Sequence, residues 1–325
     1  MNHYIKVLEL LKEYKKTEFW KIVSGEDILK IKGNKEEDVY VLILGNAGVD
    51  LGLIIFKNKE ELFTQINMVY GEYANSPDRF VRADGFKICL DEMDCMLTEE
   101  EARILKKNKV DTNDTIIRLD RGKVYRVATD EECEFLIGVI EKIIKIANYF
   151  KDKCLKVTEF VDLEKMYAFT FSPEGNISHR KENFPVDKLV DLEVVDLNKK
   201  SVNKLLIFSK NGSYNVGLFY FPVYMNNESG KFYPLVLIIE NRETGMIIGL
   251  DIFGEEEKES LANKVLGFLN EGQIRPKEIT FSSFEALSLC RDLTRELDIE
   301  GLVDINIESL FDIWNKLSDE MTGNK

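Results

Sequence analysis

The apolar residues of this chain recur with two periods, and each change of period marks a change of element. Tyr4, Val7, Leu8, Leu11 and Tyr14 stand at helical spacing with Lys and Glu between them, so residues 1–16 predict an amphipathic helix. Two β-rich runs, 39–44 and 51–56, flank Gly45-Asn46-Ala47-Gly48 and predict a hairpin. Leu62, Phe63, Ile66 and Val69 predict a helix over 59–69, and 85–90 reads as a strand. Thr98 with Glu101 has the spacing of a capping box and opens another helix. Runs 115–119 and 124–128 form a second hairpin. The longest helix covers about 131–150, capped by Thr129 or Asp130. Its Phe135, Leu136, Val139, Ile140, Ile143, Ile146, Ala147 and Phe150 form a broad apolar face.

Lys151-Asp152-Lys153 ends that helix and precedes a β-rich region, which predicts two domains, 1–152 and 153–325. In the second, 166–171 reads as a strand and 172–188 as a polar loop. Four further strands, 204–209, 214–225, 232–240 and 246–253, are joined by turns that place Gly beside Asn, Ser or Thr, an antiparallel meander. After Gly254 the pattern becomes helix 255–270, strand 277–282, helix 283–297, strand 301–305 and helix 307–321. The last two strands should be parallel neighbours or near neighbours, because a strand–helix–strand connection within one sheet is normally a parallel crossover. The fold class is therefore α+β: an N-terminal hairpin-plus-helix domain and a C-terminal mixed-sheet domain, a meander followed by α-β-α-β-α.

A length of 325 residues suits two domains, and 44% hydrophobic with 31% charged residues suits globular ones. The net charge of −14 repels polyanions, so nucleic acid is disfavoured as a partner. Cys89, Cys95, Cys133, Cys154 and Cys290 are odd in number, scattered and without a CxxC, which predicts free thiols in a reducing, cytoplasmic setting. His3 and His179 are the only histidines, which removes most zinc and Ser-His or Cys-His chemistry. His179 falls in the polar loop and reads as an exposed bystander. No apolar run reaches the roughly 18–20 residues of a membrane span, and residues 1–16 lack the apolar core of a signal peptide.

Few motifs carry chemistry. The Gly-rich 45–52 segment joins two strands, whereas a phosphate cradle needs a strand before it and a helix after it. The acid runs at 99–101 and 255–257 suit helix starts, where the macrodipole favours carboxylates. Phe219-Tyr220-Phe221-Pro222-Val223-Tyr224 lacks the basic neighbours of a base-stacking platform and reads as core.

From Tyr214 onward the order of elements resembles the RNase H-like fold. Residues 235–240 and 246–251 are similar to its hairpin and 275–283 to its fourth strand. The resemblance implies a two-metal site with carboxylates at the first strand, the first helix and the end of the fourth strand. Glu240 and one of Glu255, Glu256 and Glu257 match two positions, while Ser282 or Ser283 stands at the third and is a poor ligand for a hard cation. Glu240, with Asp251 on the paired strand and Asp304 at the end of the last strand, remains the candidate catalytic set. Both halves also resemble uncharacterised bacterial domains of unknown function, through the 39–56 hairpin with its following helix and through 234–314. These readings lead to a non-catalytic, cytoplasmic protein that binds a protein partner and needs no cofactor. The alternatives are a metal-dependent nuclease or phosphoesterase on the RNase H-like domain and an acidic inhibitor that imitates nucleic acid.

Overall fold

The computed structural model describes residues 2–23, 27–33, 37–48, 50–91, 99–108, 110, 112–153, 165–183, 195–228 and 230–322. The chain forms an α+β protein of two compact units. Unit one holds Met1–Thr64, Asp84–Asp120 and Tyr125–Asp187, and unit two holds Gln65–Ala83, Arg121–Val124 and Lys188–Lys325. Among the described residues no helix is long and apolar enough to cross a membrane.

Unit one contains α1 (Asn2–Thr17), β1 (Ile28–Ile31), β2 (Val39–Leu44), β3 (Gly52–Phe56), the first half of α2 (Lys59–Val69), β4 (Gly85–Cys89), α3 (Glu99–Asn108), β5 (Thr115–Leu119), β6 (Arg126–Val127), α4 (Asp130–Asp152), β7 (Lys165–Phe171) and β8 (Ile177–Asn183). Its strands form one sheet in the order β6-β5-β4-β3-β2-β1-β7-β8. Neighbours are antiparallel except β1 and β7, which run parallel. Val7, Leu8 and Leu11 of α1 and Leu136, Ile140 and Ile143 of α4 share one core with Val41, Ile43, Leu53, Ile55, Phe86 and Ile88 of the sheet. Thr129 closes the start of α4: its hydroxyl accepts from the Glu132 amide, and the Glu132 carboxylate accepts from the Thr129 amide. The capping box expected at Thr98 lies outside the described residues.

The boundary expected at 152/153 falls inside unit one. Leu29, Lys30 and Ile31 of β1 register with Tyr167, Ala168 and Phe169 of β7, and Phe169 packs on Phe150 of α4. The expected polar loop is likewise a strand. β8 pairs along the whole of β7, but as the sheet's edge it exposes polar side chains on both faces, so it shows no apolar alternation. His179 therefore sits on a strand, stacked on Phe169, with its Nδ1 3.2 Å from the Tyr149 hydroxyl. It is half-buried, not a bystander.

Unit two contains α5 (Lys199–Leu206), β9 (Ser213–Tyr220), β10 (Met225–Asn227), β11 (Gly230–Phe232), β12 (Leu235–Asn241), β13 (Met246–Phe253), α6 (Leu261–Glu271), β14 (Glu278–Phe281), α7 (Phe284–Leu289), α8 (Arg291–Glu296), β15 (Glu300–Val303) and α9 (Glu308–Thr322). Its main sheet has the order β13-β12-β9-β14-β15. β9, β12 and β13 alternate in direction, whereas β14 runs parallel to both β9 and β15, as the crossover rule requires. The expected strand at 204–209 is instead the end of α5. Its apolar run is too short for periodicity to separate strand from helix, and the Asn198 side chain caps a helix here by accepting from the Lys200 and Ser201 amides. The expected strand 214–225 is interrupted after Tyr220, and β10 and β11 form a separate small hairpin.

The two faces of this sheet are covered unequally. Val216, Leu218, Leu237 and Ile239 point into a core with Leu261 and Val265 of α6, Ala286 of α7 and Leu293 of α8. Phe219, Val236 and Ile238 point the other way, packed with Leu310 and Trp314 of α9 and with Phe221 and Ile307.

Candidate functional site

The three candidate carboxylates do not meet. Glu240 lies on the α9 face of β12, buried, where it accepts from Asn215 Nδ2 at 2.9 Å and Ser309 Oγ at 2.6 Å. Asp251 stands opposite Leu237 on the α6 face of β13 and pairs with Lys264 at 2.8 Å. Asp304 follows β15, exposed, and accepts from the Asn306 amide. Glu240 and Asp251 thus point to opposite faces. Asp251 and Asp304 flank opposite edges of a five-stranded sheet, about 19 Å apart at roughly 4.8 Å per strand. Ligands of one magnesium ion must all approach within about 2.1 Å of it. Among the described residues no group of three His, Cys, Asp or Glu could hold a metal ion.

The serines at the fourth-strand position serve the fold. Ser282 Oγ accepts from the Leu218 amide, and Ser283 caps α7 by accepting from the Ala286 amide. Glu255 accepts from the Tyr220 hydroxyl and pairs with Lys258, and Glu257 pairs with Lys264.

The densest charge cluster of unit two centres on Glu285, in the first turn of α7. Arg121 Nη2 lies 2.7 Å from its carboxylate, Lys258 Nζ 2.7 Å and Arg82 Nη1 3.1 Å, and the Tyr73 hydroxyl donates to it at 3.2 Å. Arg82 is fully buried, paired with Asp78 at 2.8 Å, bonded to the Leu218 carbonyl and stacked over Tyr73. Asp78 also accepts from Ser76 and from the Tyr220 amide. Arg82, Arg121 and Lys258 thus balance Asp78, Glu255 and Glu285.

Burial alone would raise the Glu285 pKa. The Arg121, Arg82 and Lys258 cations outweigh it and hold the carboxyl far below the usual range. Burial pushes the Tyr73 and Tyr220 hydroxyls up, so both stay protonated. A carboxylate fixed in its ionised state by three cations is a poor proton donor or acceptor near neutrality. The arrangement works as a clasp, tying 65–83 and 121–124 to the sheet. Its members come from segments as far as 212 positions apart, as with Tyr73 and Glu285, so no local spacing announces it.

Two adjoining hollows of about 400 and 520 Å³ lie beside α5, α6 and α8 and share Asp196 and Leu197. Asp292 lines the first. It is buried, accepting from the Val195 amide and pairing with Arg295 at 3.0 Å, so its charge is already balanced.

The remaining feature is an edge. β13 closes one side of the sheet with an eight-residue strand. A bulge at Ile248 shifts its register, so that Ile239 pairs with Gly249 and Glu240 with Ile247. A Cβ at Gly249 would come 2.8 Å from Phe268, which places this position on the α6 face. Ile247, Leu250 and Ile252, opposite Glu240, Ile238 and Val236, therefore share the α9 face. They are 44%, 41% and 45% exposed. α9 covers the centre of that face and leaves this stripe uncovered.

No curated protein matches the chain. Residues 201–317, from α5 into α9, match a domain of unknown function, DUF6930. Residues 5–168, half of the chain, match a second domain of unknown function, DUF7309, and the chain belongs to that family.

Proposed function

We propose that this protein acts by binding a protein partner, and that the partner docks on the β13 edge of unit two. One observation carries this reading: among the described residues β13 is an eight-residue edge strand with no strand on its outer side, and it presents Ile247, Leu250 and Ile252 to solvent along one face. Edge strands offer a row of backbone donors and acceptors, and proteins normally blunt them with charge, proline or shortness. The opposite edge, β15, is only four residues long and begins with Glu300. β13 is long, has no Pro or Lys, and directs its one charge, Asp251, to the other face. Strand addition gives affinity through main-chain hydrogen bonds and specificity through alternate side chains.

The order β13-β12-β9-β14-β15, with its directions, supports the RNase H-like reading of this unit as a scaffold. The divergence of Glu240, Asp251 and Asp304 gives the nuclease reading no support. A reducing, cytoplasmic setting is favoured by Cys89, Cys133 and Cys290, which are buried free thiols. Burial pushes the Cys133 thiol up to about 12, which suits inert packing rather than redox exchange.

The test is a photo-reactive amino acid at Leu250 in the full chain, with Glu320 as an exposed control. Discrete adducts at Leu250 and none at Glu320 are expected. Irradiation that yields no adduct at Leu250 would remove the basis for a docking edge there.

A further inference from the structure

The stripe on β13 is symmetric about its own centre. Leu250 lies in the middle, with Ile252 two positions after it. Ile247 occupies the next place on the same face before it, because the Ile248 bulge removes one alternation. An isologous contact requires such self-complementarity, since each copy presents the same patch. Resting on the β13 reading above, we infer that the occupant of this edge is a second copy of the chain, paired antiparallel about a two-fold axis through Leu250.

In that register Leu250 faces Leu250 of the other copy, Asp251 faces Gly249, Ile252 faces Ile247, and Phe253 faces Met246. All three exposed apolar side chains of the α9 face meet apolar partners. Asp251, already paired with Lys264, meets a residue with no side chain. Two five-stranded sheets would become one of ten.

Charge at the ends is compatible with the pairing. The ends add no defined ion pair, because 241–245 is the turn back to β12, where Arg242 pairs with Glu278, and 255–260 is a 3-10 helix, where Glu257 pairs with Lys264. The turn 241–245 carries Arg242 and Glu243 and is neutral in sum, so the acidic run at 255–257 meets no net negative charge. Two chains of −14 still repel at long range, which makes the dimer weak and strengthened by salt, because screening beyond about 10 Å is nearly complete at 0.1 M.

Sedimentation of the purified full chain over a concentration series at low and high salt should give a reversible monomer–dimer equilibrium, tighter at high salt. Leu250→Lys, which sets two ammonium groups face to face on the axis, should weaken it at least tenfold with unchanged circular dichroism. The register has its own test. Leu250→Cys should form a disulfide between copies under oxidised glutathione, because directly opposed Cα atoms lie about 4.5–5.5 Å apart, within disulfide reach. Ile247→Cys and Ile252→Cys should link poorly alone and well when mixed, with the links read by peptide mass. A chain that stays monomeric at every concentration and forms no 250–250 link overturns the second-copy inference. The docking edge survives that result if the photo-probe at Leu250 still captures a different protein, and falls with it if the probe captures nothing.

Discussion

Each unit ends its sheet with the outer strand of a hairpin, and the two strands are finished in opposite chemistry. β8 of unit one exposes Ser178, Arg180 and Lys181, and its Glu182 carboxylate is held by Lys30, Lys32 and Arg180. β13 of unit two exposes Ile247, Leu250 and Ile252. Backbone geometry alone leaves both edges open to pairing. Side-chain charge closes the first, since a strand added there would have to desolvate several ionic groups. The contrast teaches that an edge becomes a surface for partners through what it omits.

The units also bury arginine differently. In unit two the Glu285 cluster balances three cations against three carboxylates. In unit one Arg118 meets three carboxylates, Glu61, Asp84 and Asp120, and Arg126 shares the last of them. Burial, and then the Glu61 charge, push the Asp84 carboxyl up to about 6.

The largest expected effect follows from the first cluster. Glu285→Ala leaves Arg82, Arg121 and Lys258 without their shared counter-charge and should cost about 3–5 kcal/mol in chemical denaturation. Hydrogen exchange should locate the loss in unit two and leave the β8 hairpin protected. Equal loosening of both units would erase the distinction between them.

A smaller effect separates the units by pH. The folded pKa of Asp84 is raised, so its contribution is fully present below the unfolded value of 3.8 and is lost as pH rises through about 6. Glu285 is shifted the other way, so its contribution is present above the usual carboxylate range and is lost only in strong acid. Lowering the pH from 7 to 5 should therefore favour unit one while leaving the Glu285 clasp intact. Asp84→Asn should remove most of unit one's gain, about 1 kcal/mol after allowing for solvent screening. A pH profile unchanged by that substitution would argue against the assignment.

Thr129→Ala should cost unit one about 1 kcal/mol through the lost α4 cap, with no effect on association. The smallest change in stability, within about 0.5 kcal/mol, is expected for exposed edge substitutions. Their effect on association should be large. Ser178→Val with Arg180→Ile gives β8 an apolar stripe and should add self-association through β8, which persists when Leu250→Lys weakens that through β13. If it does not, exposed apolar residues on an edge are not enough to recruit a partner.

Much of this architecture was legible in the sequence, and the gaps have physical causes. The β2–β3 hairpin and β14 announce themselves as short apolar runs buried on both faces, and α4 by the period of its buried stripe. β1 has only four residues, and β8 is polar on both sides, so neither carries a periodic signal. The expected boundary at 152/153 missed the parallel β1–β7 pair because such pairing is non-local. Glu240 and Asp251 look adjacent on one hairpin, yet alternation sends them to opposite faces. The Glu285 clasp was invisible because Tyr73, Asp78, Arg82 and Arg121 reach it from another part of the chain. The exposed stripe on β13 was hidden by its own bulge, since Ile247 and Leu250 share a face only once Ile248 is displaced.

The central claim is that β13, and not β8, is the edge that receives a partner. The most direct measurement places the same photo-reactive side chain at Leu250 and at Arg180 in otherwise identical full-length proteins and compares their adducts. The account predicts a discrete adduct from position 250, lost on adding Ile252→Lys, and none from position 180. Adducts from position 180, or equal labelling of both edges, would contradict it.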